Sequence, residues 1–129
     1  MDKKYFAVKM LMGAIQYAAS QLVELDAGFK KKLTGLNSII QWKVEPKGPN
    51  SYTIVKNSKI EGKEGVYDKP TYTIVLKNLD VAFDLFQGKI DAPTAMQQGK
   101  VNILGDTKTA MKQMFILEDL AKYLTDLRG

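Results

Sequence analysis

Residues 83–106 read FDLFQGKIDAPTAMQQGKVNILGD, and Ala110-Met111 follow a few positions later. Gly88 and Gly99 each precede a lysine and then an aliphatic residue, and the stretch closes on Gly105-Asp106. Glycine tolerates backbone conformations that other residues avoid, and it therefore marks sharp turns. The stretch predicts short helices and a strand that turn tightly over a sheet.

Upstream of this stretch, apolar residues recur at alternating spacings of three and four, which predicts an amphipathic helix over residues 4–27. These residues are Val8, Leu11, Ile15, Ala18, Leu22 and Leu25. We expect Gly28 to end the helix and Lys30-Lys31-Lys32 to lie in a polar connection. The strand patterns that follow lie at residues 40–45, 52–55, 60–67 and 71–76.

Helix signals dominate the last third of the chain. Asn78 or Asp80 can cap one helix, and Asp91 can cap a second, short one. The elements expected after them are a fifth strand at 101–104, a helix through 110–115 and a final amphipathic helix at 117–127.

The composition removes most familiar enzyme classes. The 129 residues include no cysteine and no histidine, which excludes disulfides, cysteine-ligated metals and Ser-His or Cys-His pairs. No apolar run reaches the length of a membrane span. We therefore expect one cytoplasmic domain over residues 1–129 that binds rather than catalyses, with no catalytic residue, metal or cofactor.

The charge pattern bears on partners. The net charge is +5, and Arg128 is the single arginine among 19 basic residues. Specific nucleic-acid readers favour arginine, so we expect no nucleic-acid partner. Lys30-Lys31-Lys32, together with Lys3, Lys4 and Lys9, form either a docking patch for an anionic lipid surface or an ordinary solvated face.

Two groups of acidic residues are candidates for chemistry. Asp80 and Asp84 stand four residues apart on a predicted helix face. They could share a proton or hold a cation, or they could simply favour the helix start through its dipole. Glu64, Asp68 and Lys69 lie in a Gly-rich hairpin, where a solvated turn is the alternative to an acid–base set. Neither Gly-Lys pair is followed by the Ser or Thr of a phosphate loop, so no nucleotide site is expected.

The double Gly-Lys spacing and the closing Gly105-Asp106 resemble the sterol carrier protein type 2 domain. The specific motif occupies residues 86–111, and the order of elements extends the resemblance over about residues 5–127. The resemblance implies an α/β (α+β) fold, with a five-stranded, mostly antiparallel sheet covered on one face by helices and an apolar tunnel between the layers. It also implies a non-catalytic protein that binds or transfers a sterol, fatty acid, fatty acyl-CoA or phospholipid. Gln98 matches a glutamine that lies along the tunnel in relatives.

Inward periodicity and this motif together predict the side chains that line the tunnel. They are Trp42, Ile74, Phe83, Phe86, Met96, Gln98, Ile103, Met111, Met114, Phe115 and Leu120. Methionine is flexible and polarisable, which suits a lining that adapts to its ligand, although the same residues also fit an ordinary packed core.

The final helix at 117–127 is predicted to be either a lid over the tunnel or a protein interface. The alternative function is accordingly a non-catalytic scaffold or dimerisation module that uses the apolar groove and this helix. The partners we expect are a lipid or sterol-like small molecule and at most a transient contact with an anionic membrane. The chain itself is expected to be a monomer or a weak dimer.

Overall fold

A long helix, α1, opens the chain and spans Lys3–Leu25. The structure, a computed structural model, describes residues 2–128, and it describes their side chains except at positions 121 and 124–128. The Asp2 carboxylate caps α1 by accepting the backbone N–H groups of Lys4 at 2.8 Å and Tyr5 at 3.2 Å. Such a cap satisfies donors that the first turn of a helix leaves unpaired.

A second, short helix, α2, spans Ala27–Lys32 and follows α1 after a single residue. That residue is Asp26, whose carboxylate accepts the backbone N–H of Phe29 at 3.1 Å and so restarts the helix. The prediction that Gly28 ends the first helix is therefore wrong. The three lysines 30–32 occupy the last turn of α2 rather than an irregular connection, and the helix dipole favours cations there.

Five strands form one mixed sheet in the order β3-β2-β1-β4-β5. They are β1 (Ser38–Val44), β2 (Asn50–Lys56), β3 (Lys59–Glu64), β4 (Tyr72–Leu76) and β5 (Val101–Gly105). The β1–β4 pair is parallel, and the other neighbouring pairs are antiparallel. The predicted five-stranded, mostly antiparallel sheet is confirmed, and the third strand ends at Glu64 instead of continuing to Tyr67.

Four helices complete the chain: α3 (Leu79–Phe86), α4 (Ala92–Gln97), α5 (Thr107–Lys112) and α6 (Phe115–Arg128). Asn78, Asp91 and Asp106 cap the first three, each by accepting a backbone N–H from the residue three positions later. The prediction of one helix through 110–115 is wrong in one respect, because this stretch is divided between α5 and α6 around Gln113. The predicted apolar face of the final helix included Leu124 and Leu127, whose side chains lie outside the described residues.

The helices cover one face of the sheet. α1 packs on β2, β3 and α3, whereas α4 and α5 pack over β4 and β5. Ile40, Trp42 and Val44 of β1 are buried on the helix side. They form one core with apolar side chains of all the helices.

The opposite face of the sheet is covered in part by the segment that follows β3. Gln41, which the strand alternation predicts as a solvated outward residue, is buried there. Its amide accepts the backbone N–H of Tyr67 at 2.8 Å and donates to the carbonyls of Ser51 and Gly65 at 2.9 and 3.1 Å. The Tyr67 ring also packs on the Tyr52 ring, with centroids 5.3 Å apart.

A network of polar side chains fixes α1 against the helix-covered face of the sheet. The Trp42 indole N–H donates to the Thr53 hydroxyl at 3.1 Å, and that hydroxyl donates to Gln16 Oε1 at 2.6 Å. Gln16 Nε2 donates in turn to the Ser51 hydroxyl at 3.2 Å. Gly62 lies directly under this glutamine, since a Cβ at position 62 would stand 2.6 Å from Gln16 Cβ. The absence of a side chain at Gly62 thus allows α1 to approach the sheet.

Candidate ligand-binding site

An apolar cleft of about 350 Å³ lies between α3, the segment after it, α6 and one residue of α1. Its apolar walls include Ile15, Leu85, Phe86, Ile90, Leu117 and Leu120. The cleft exists because α3 ends at Phe86 and the chain turns away at Gly88, where the backbone has a φ of 76°. The turn moves the next helix aside and leaves a space that side chains do not fill.

A smaller cavity of about 40 Å³ continues inward, between the sheet and α4–α6. Its sheet side is formed by Ile40, Trp42, Ile74 and Ile103. Leu85, Ala92, Met114 and Leu117 line both this inner cavity and the outer cleft. The two spaces therefore share a wall of four side chains, one of them a flexible methionine.

A buried polar group lies at the inner cavity. Gln113 Oε1 accepts hydrogen bonds from the Tyr72 hydroxyl at 2.8 Å and the Ser38 hydroxyl at 3.0 Å. Burial raises the pKa of the Tyr72 hydroxyl, which keeps it protonated as a donor. With its oxygen doubly engaged, the Gln113 amide retains only N–H groups to offer a further partner. Gln113 also ties the α5–α6 junction to β1 and β4.

The outer cleft is polar only at its rim. Asp91 and Glu118 are its two charged lining residues, and no basic side chain lines it within the described part of the chain. An exposed aspartate is ionised at neutral pH, and hydrogen bonds from Thr94 lower the pKa of the Asp91 carboxyl further. The rim is therefore negative and the interior is apolar.

A second, larger groove of about 620 Å³ runs between α1 and α6. Leu11, Ala14, Ala18 and Leu22 of α1 form one wall, and Leu120 belongs to the other. Ile15, Phe86 and Leu120 line both this groove and the cleft. The groove therefore adjoins the cleft and shares part of its wall.

Seven of the predicted lining residues lie at the cleft or the inner cavity. They are Trp42, Ile74, Phe86, Met96, Ile103, Met114 and Leu120. They come from three strands, three helices and the α5–α6 connection, and they lie around the cleft and the adjoining inner cavity.

The other four predicted residues lie elsewhere. Phe83 packs beside α1, with the Lys4 ammonium 5.2 Å from its ring centre. Phe115 packs on Phe29 with ring centroids 6.0 Å apart. Gln98 is exposed at the end of α4, and Met111 is 56% exposed. Neither cavity is lined by any of these four side chains.

Several wall residues were not among the predicted lining residues. Ile15 and Leu117 belong to the apolar faces of helices, and the spacing of apolar residues could have identified them as inward-facing. Gln113 and Glu118 gave no such signal, because a polar residue beside apolar neighbours is ordinarily interpreted as exposed. Their positions depend on how α5 and α6 meet.

The acidic pair predicted on one helix face lies on α3. The Asp80 carboxylate accepts a hydrogen bond from the Lys4 ammonium at 2.6 Å, which supports the helix-start interpretation over a paired-acid site. That bond also raises the pKa of the Lys4 ammonium. Residues 2–128 contain no acidic cluster able to hold a metal ion, within the side chains described. Within the same part of the chain, no helix has the length and apolarity needed to span a bilayer.

Comparison with solved structures identifies the architecture. Sterol carrier protein 2 from Yarrowia lipolytica, in its apo form, superposes with a TM-score of 0.66 over 94% of this chain and 96% of that chain, at 16% identity. Palmitated SCP2L2 from Aedes aegypti superposes with a TM-score of 0.59 over 80% of this chain and 90% of that chain, at 18% identity.

The sec-alkylsulfatase Pisa1 from a Pseudomonas species shares the fold in one part of a much longer chain. It superposes with a TM-score of 0.54 at 22% identity, over 67% of this chain and 14% of the sulfatase. Comparison with curated protein sequences found no match. The model of the SCP-2 sterol transfer family matches residues 19–118. The chain therefore belongs to the SCP-2 sterol transfer family.

Proposed function

We propose that this protein is a non-catalytic carrier that binds the apolar body of a lipid or sterol-like molecule in the cleft and inner cavity. The observation that carries the proposal is the apolar wall of Leu85, Met114 and Leu117, which a cleft of about 350 Å³ shares with a cavity against the sheet. Small-molecule sites in proteins occupy roughly 300–1,000 Å³. The space thus suits an alkyl chain or a compact ring system.

Burial of apolar surface supplies the affinity. Each methylene removed from water contributes roughly 0.8 kcal/mol. A chain of about ten carbons is therefore held with useful affinity after the ordering costs. Such a ligand would enter tail first, because the inner cavity is almost entirely apolar and the charged groups stand at the rim.

The rim predicts a preference among head groups. Asp91 and Glu118 place two carboxylates beside the entrance, and like charges repel a free fatty-acid carboxylate. An uncharged or zwitterionic head group avoids that repulsion. We therefore propose sterols, neutral acyl lipids or zwitterionic phospholipids ahead of free fatty acids and acyl-CoA.

The role of α6 follows from its described side chains. Ile116 and Leu120 are buried against the rest of the chain, and Leu117 and Leu120 form part of the cleft wall. These contacts favour a lid-like wall over a surface that binds another protein. The alternative of a scaffold acting through α6 lacks the exposed apolar stripe that it requires among the described α6 side chains.

The wider biological setting belongs to the same proposal. Family membership supports lipid carriage, and the palmitated form of the Aedes aegypti protein is a property of that relative. The cytoplasm remains the compartment that the sequence predicts. A transient contact with an anionic membrane stays a prediction for the lysines at 30–32 together with Lys3, Lys4 and Lys9, and an ordinary solvated face stays its alternative.

The test uses two methionines that lie three residues apart. Met114 lines both spaces, whereas Met111 is exposed and lines neither. Met114→Trp should fill space on both sides of the shared wall and weaken binding of a radiolabelled sterol or acyl alcohol by about tenfold or more, and Met111→Trp should leave that binding unchanged. Thermal unfolding would verify that both variants fold. Absence of saturable lipid binding by the unaltered protein would refute the proposal, as would equal affinity of the two variants.

A further inference from the structure

The outward side of α1 is an apolar face that no other part of the described chain covers. We define the α1 outer face by Phe6, Met10, Gly13, Ala14, Tyr17 and Leu25, all of which are exposed. Met10 is 58% exposed and Tyr17 is 67% exposed. The face is closed at each end by a charge: Lys3 precedes it and Glu24 lies at its far end, and both are exposed.

We propose that the α1 outer face binds a second copy of this chain, with the two α1 helices antiparallel about a two-fold axis near Gly13 and Ala14. In this arrangement, two residues that face each other across the interface have residue numbers that add up to about 27. Lys3 of one copy then meets Glu24 of the other, and Met10 meets Tyr17. Every contact occurs twice, as an isologous dimer requires. The proposal does not depend on which ligand the cleft binds.

Charge complementarity favours a second copy of the chain as the partner, and it favours antiparallel α1 helices. Lys3 and Glu24 form no ion pair with any described residue, and no charged residue separates them on the α1 outer face. A parallel pair of helices would oppose Lys3 to Lys3 and Glu24 to Glu24, whereas the antiparallel pair neutralises both ends. An anionic membrane is a poorer match, because the exposed Glu24 carboxylate at one end of the face would be repelled by anionic head groups.

Gly13 provides a separate argument. A glycine inside a helix costs about 1 kcal/mol relative to alanine, and a Cβ at Gly13 would meet no atom of the described residues within 4 Å. The fold of one copy therefore gives no reason for its small size. At the centre of the proposed interface, Gly13 beside Ala14 lets the two helix backbones approach closely.

The neighbouring groove completes the fit. Tyr17, Ala18, Gln21 and Leu22 of α1 line the groove of about 620 Å³ between α1 and α6. The antiparallel pairing sets Phe6 of the partner opposite Gln21 and Leu22, and Met10 of the partner opposite Tyr17 and Ala18. Two protruding apolar side chains of each copy thus lie over the apolar groove of the other.

The first experiment is sedimentation velocity from low micromolar to several hundred micromolar protein. The unaltered chain should change reversibly from 14.4 kDa to twice that mass. Ala14→Arg places a long cation at the axis opposite its own copy, and it should leave only the monomer. A monomer at every concentration would overturn the proposal, and so would a dimer that survives Ala14→Arg.

A charge exchange tests the direction of the helices. Lys3→Glu and Glu24→Lys should each weaken the dimer by about three- to tenfold, since each change creates two like-charge contacts. The double variant Lys3→Glu/Glu24→Lys should restore the dimer to within about twofold. Lys69→Glu, an equal charge change in an exposed loop, is the control and should have no effect. A double variant as weak as the single ones would refute the antiparallel pairing.

Anionic vesicles test the competing occupant. Vesicles of phosphatidylserine and phosphatidylcholine should bind the unaltered protein and Ala14→Arg equally. Loss of vesicle binding in Ala14→Arg, with no dimer in the unaltered chain, would assign the α1 outer face to a lipid surface and overturn the proposal.

Discussion

The two sides of the helix layer meet the sheet in different ways. On the β2–β3 side, α1 is held close by the Gln16 network. A space of about 10 Å³ lies beneath the helix between Met12, Trp42 and Phe86, and a separate groove of about 270 Å³, lined mostly by polar residues, runs along its edge beside β3. On the β4–β5 side, shorter helices separated by turns leave the inner cavity of about 40 Å³ and open on the cleft of about 350 Å³.

The difference shows how one sheet can support a solid core and a ligand space together. A long helix that hydrogen-bonds to the strands through Gln16 stays at packing distance around that residue. Short helices that begin at Asp91 and Asp106 are held by caps and turns, and their distance from the sheet is set by the chain between them. The cavity therefore occurs where the layer is built from short segments.

A pair of methionine substitutions gives the largest expected effect. Met12 is 4% exposed under α1, and Met12→Ala should lower the free energy of unfolding by about 2–5 kcal/mol because it leaves a void in a packed region. Met114 already borders empty space, so Met114→Ala should cost less than half as much. Urea unfolding monitored by circular dichroism measures both. Equal losses would show that the two sides are packed alike.

Two glycines test the closeness of α1. Gly62→Ala brings a Cβ within 2.7 Å of three Gln16 atoms, and it should destabilise the fold by about 1–3 kcal/mol through overpacking. Gly13→Ala points into open space and, measured at low concentration, should stabilise the chain by about 0.5–1 kcal/mol. A harmless Gly62→Ala would mean that α1 is free to move away from β3.

The Asp91 cap tests how the cavity side is held. Its carboxyl has a pKa below the ordinary 3.8 because it bonds Thr94. The stabilisation is therefore complete above about pH 3.8 and is lost as the pH falls through the lower folded value. Asp91→Ala should lower the free energy of unfolding at pH 7 because it removes the cap, and its difference from the unaltered chain should shrink in acid. A difference that is independent of pH would exclude the charged cap as its source.

The smallest expected effect concerns the rim. Glu118→Gln removes one exposed negative charge from the cleft entrance. It should raise the affinity for a fatty-acid anion by about two- to fivefold while leaving the matching fatty alcohol unchanged. Isothermal titration calorimetry with both ligands, repeated at high salt, distinguishes an effect of charge on the affinity from an effect of the shape of the site. An equal change for acid and alcohol would contradict an electrostatic rim.

Much of the fold was predictable because local signals repeat along the chain. The 83–106 stretch predicted its elements well, since its glycines stand where the backbone needs them. Gly105 has a φ of 95°, and a Cβ there would lie 2.9 Å from the Thr71 carbonyl. The restart of the helix at Asp26 was missed because a cap and a stop use similar residues.

The candidate site was less predictable than the fold. Periodicity identifies which side of an element faces inward, and it correctly grouped Trp42, Ile74 and Ile103 on one side of the sheet. It does not reveal whether an inward side chain borders a void or a neighbour, which is why Phe115 was included in the predicted lining. Burial of Gln41 and Gln113 depends on segments distant in sequence that supply their hydrogen-bond partners.

The parallel pairing of β1 with β4 has a thermodynamic consequence. It joins an N-terminal meander of three strands to a C-terminal pair, and the inner cavity lies across that seam, with Trp42 on one side and Ile74 on the other. A molecule bound there would contact both parts of the sheet and hold them together. Because such binding favours only the joined state, the loaded protein should resist heat better than the empty one, and release of cargo would loosen the seam.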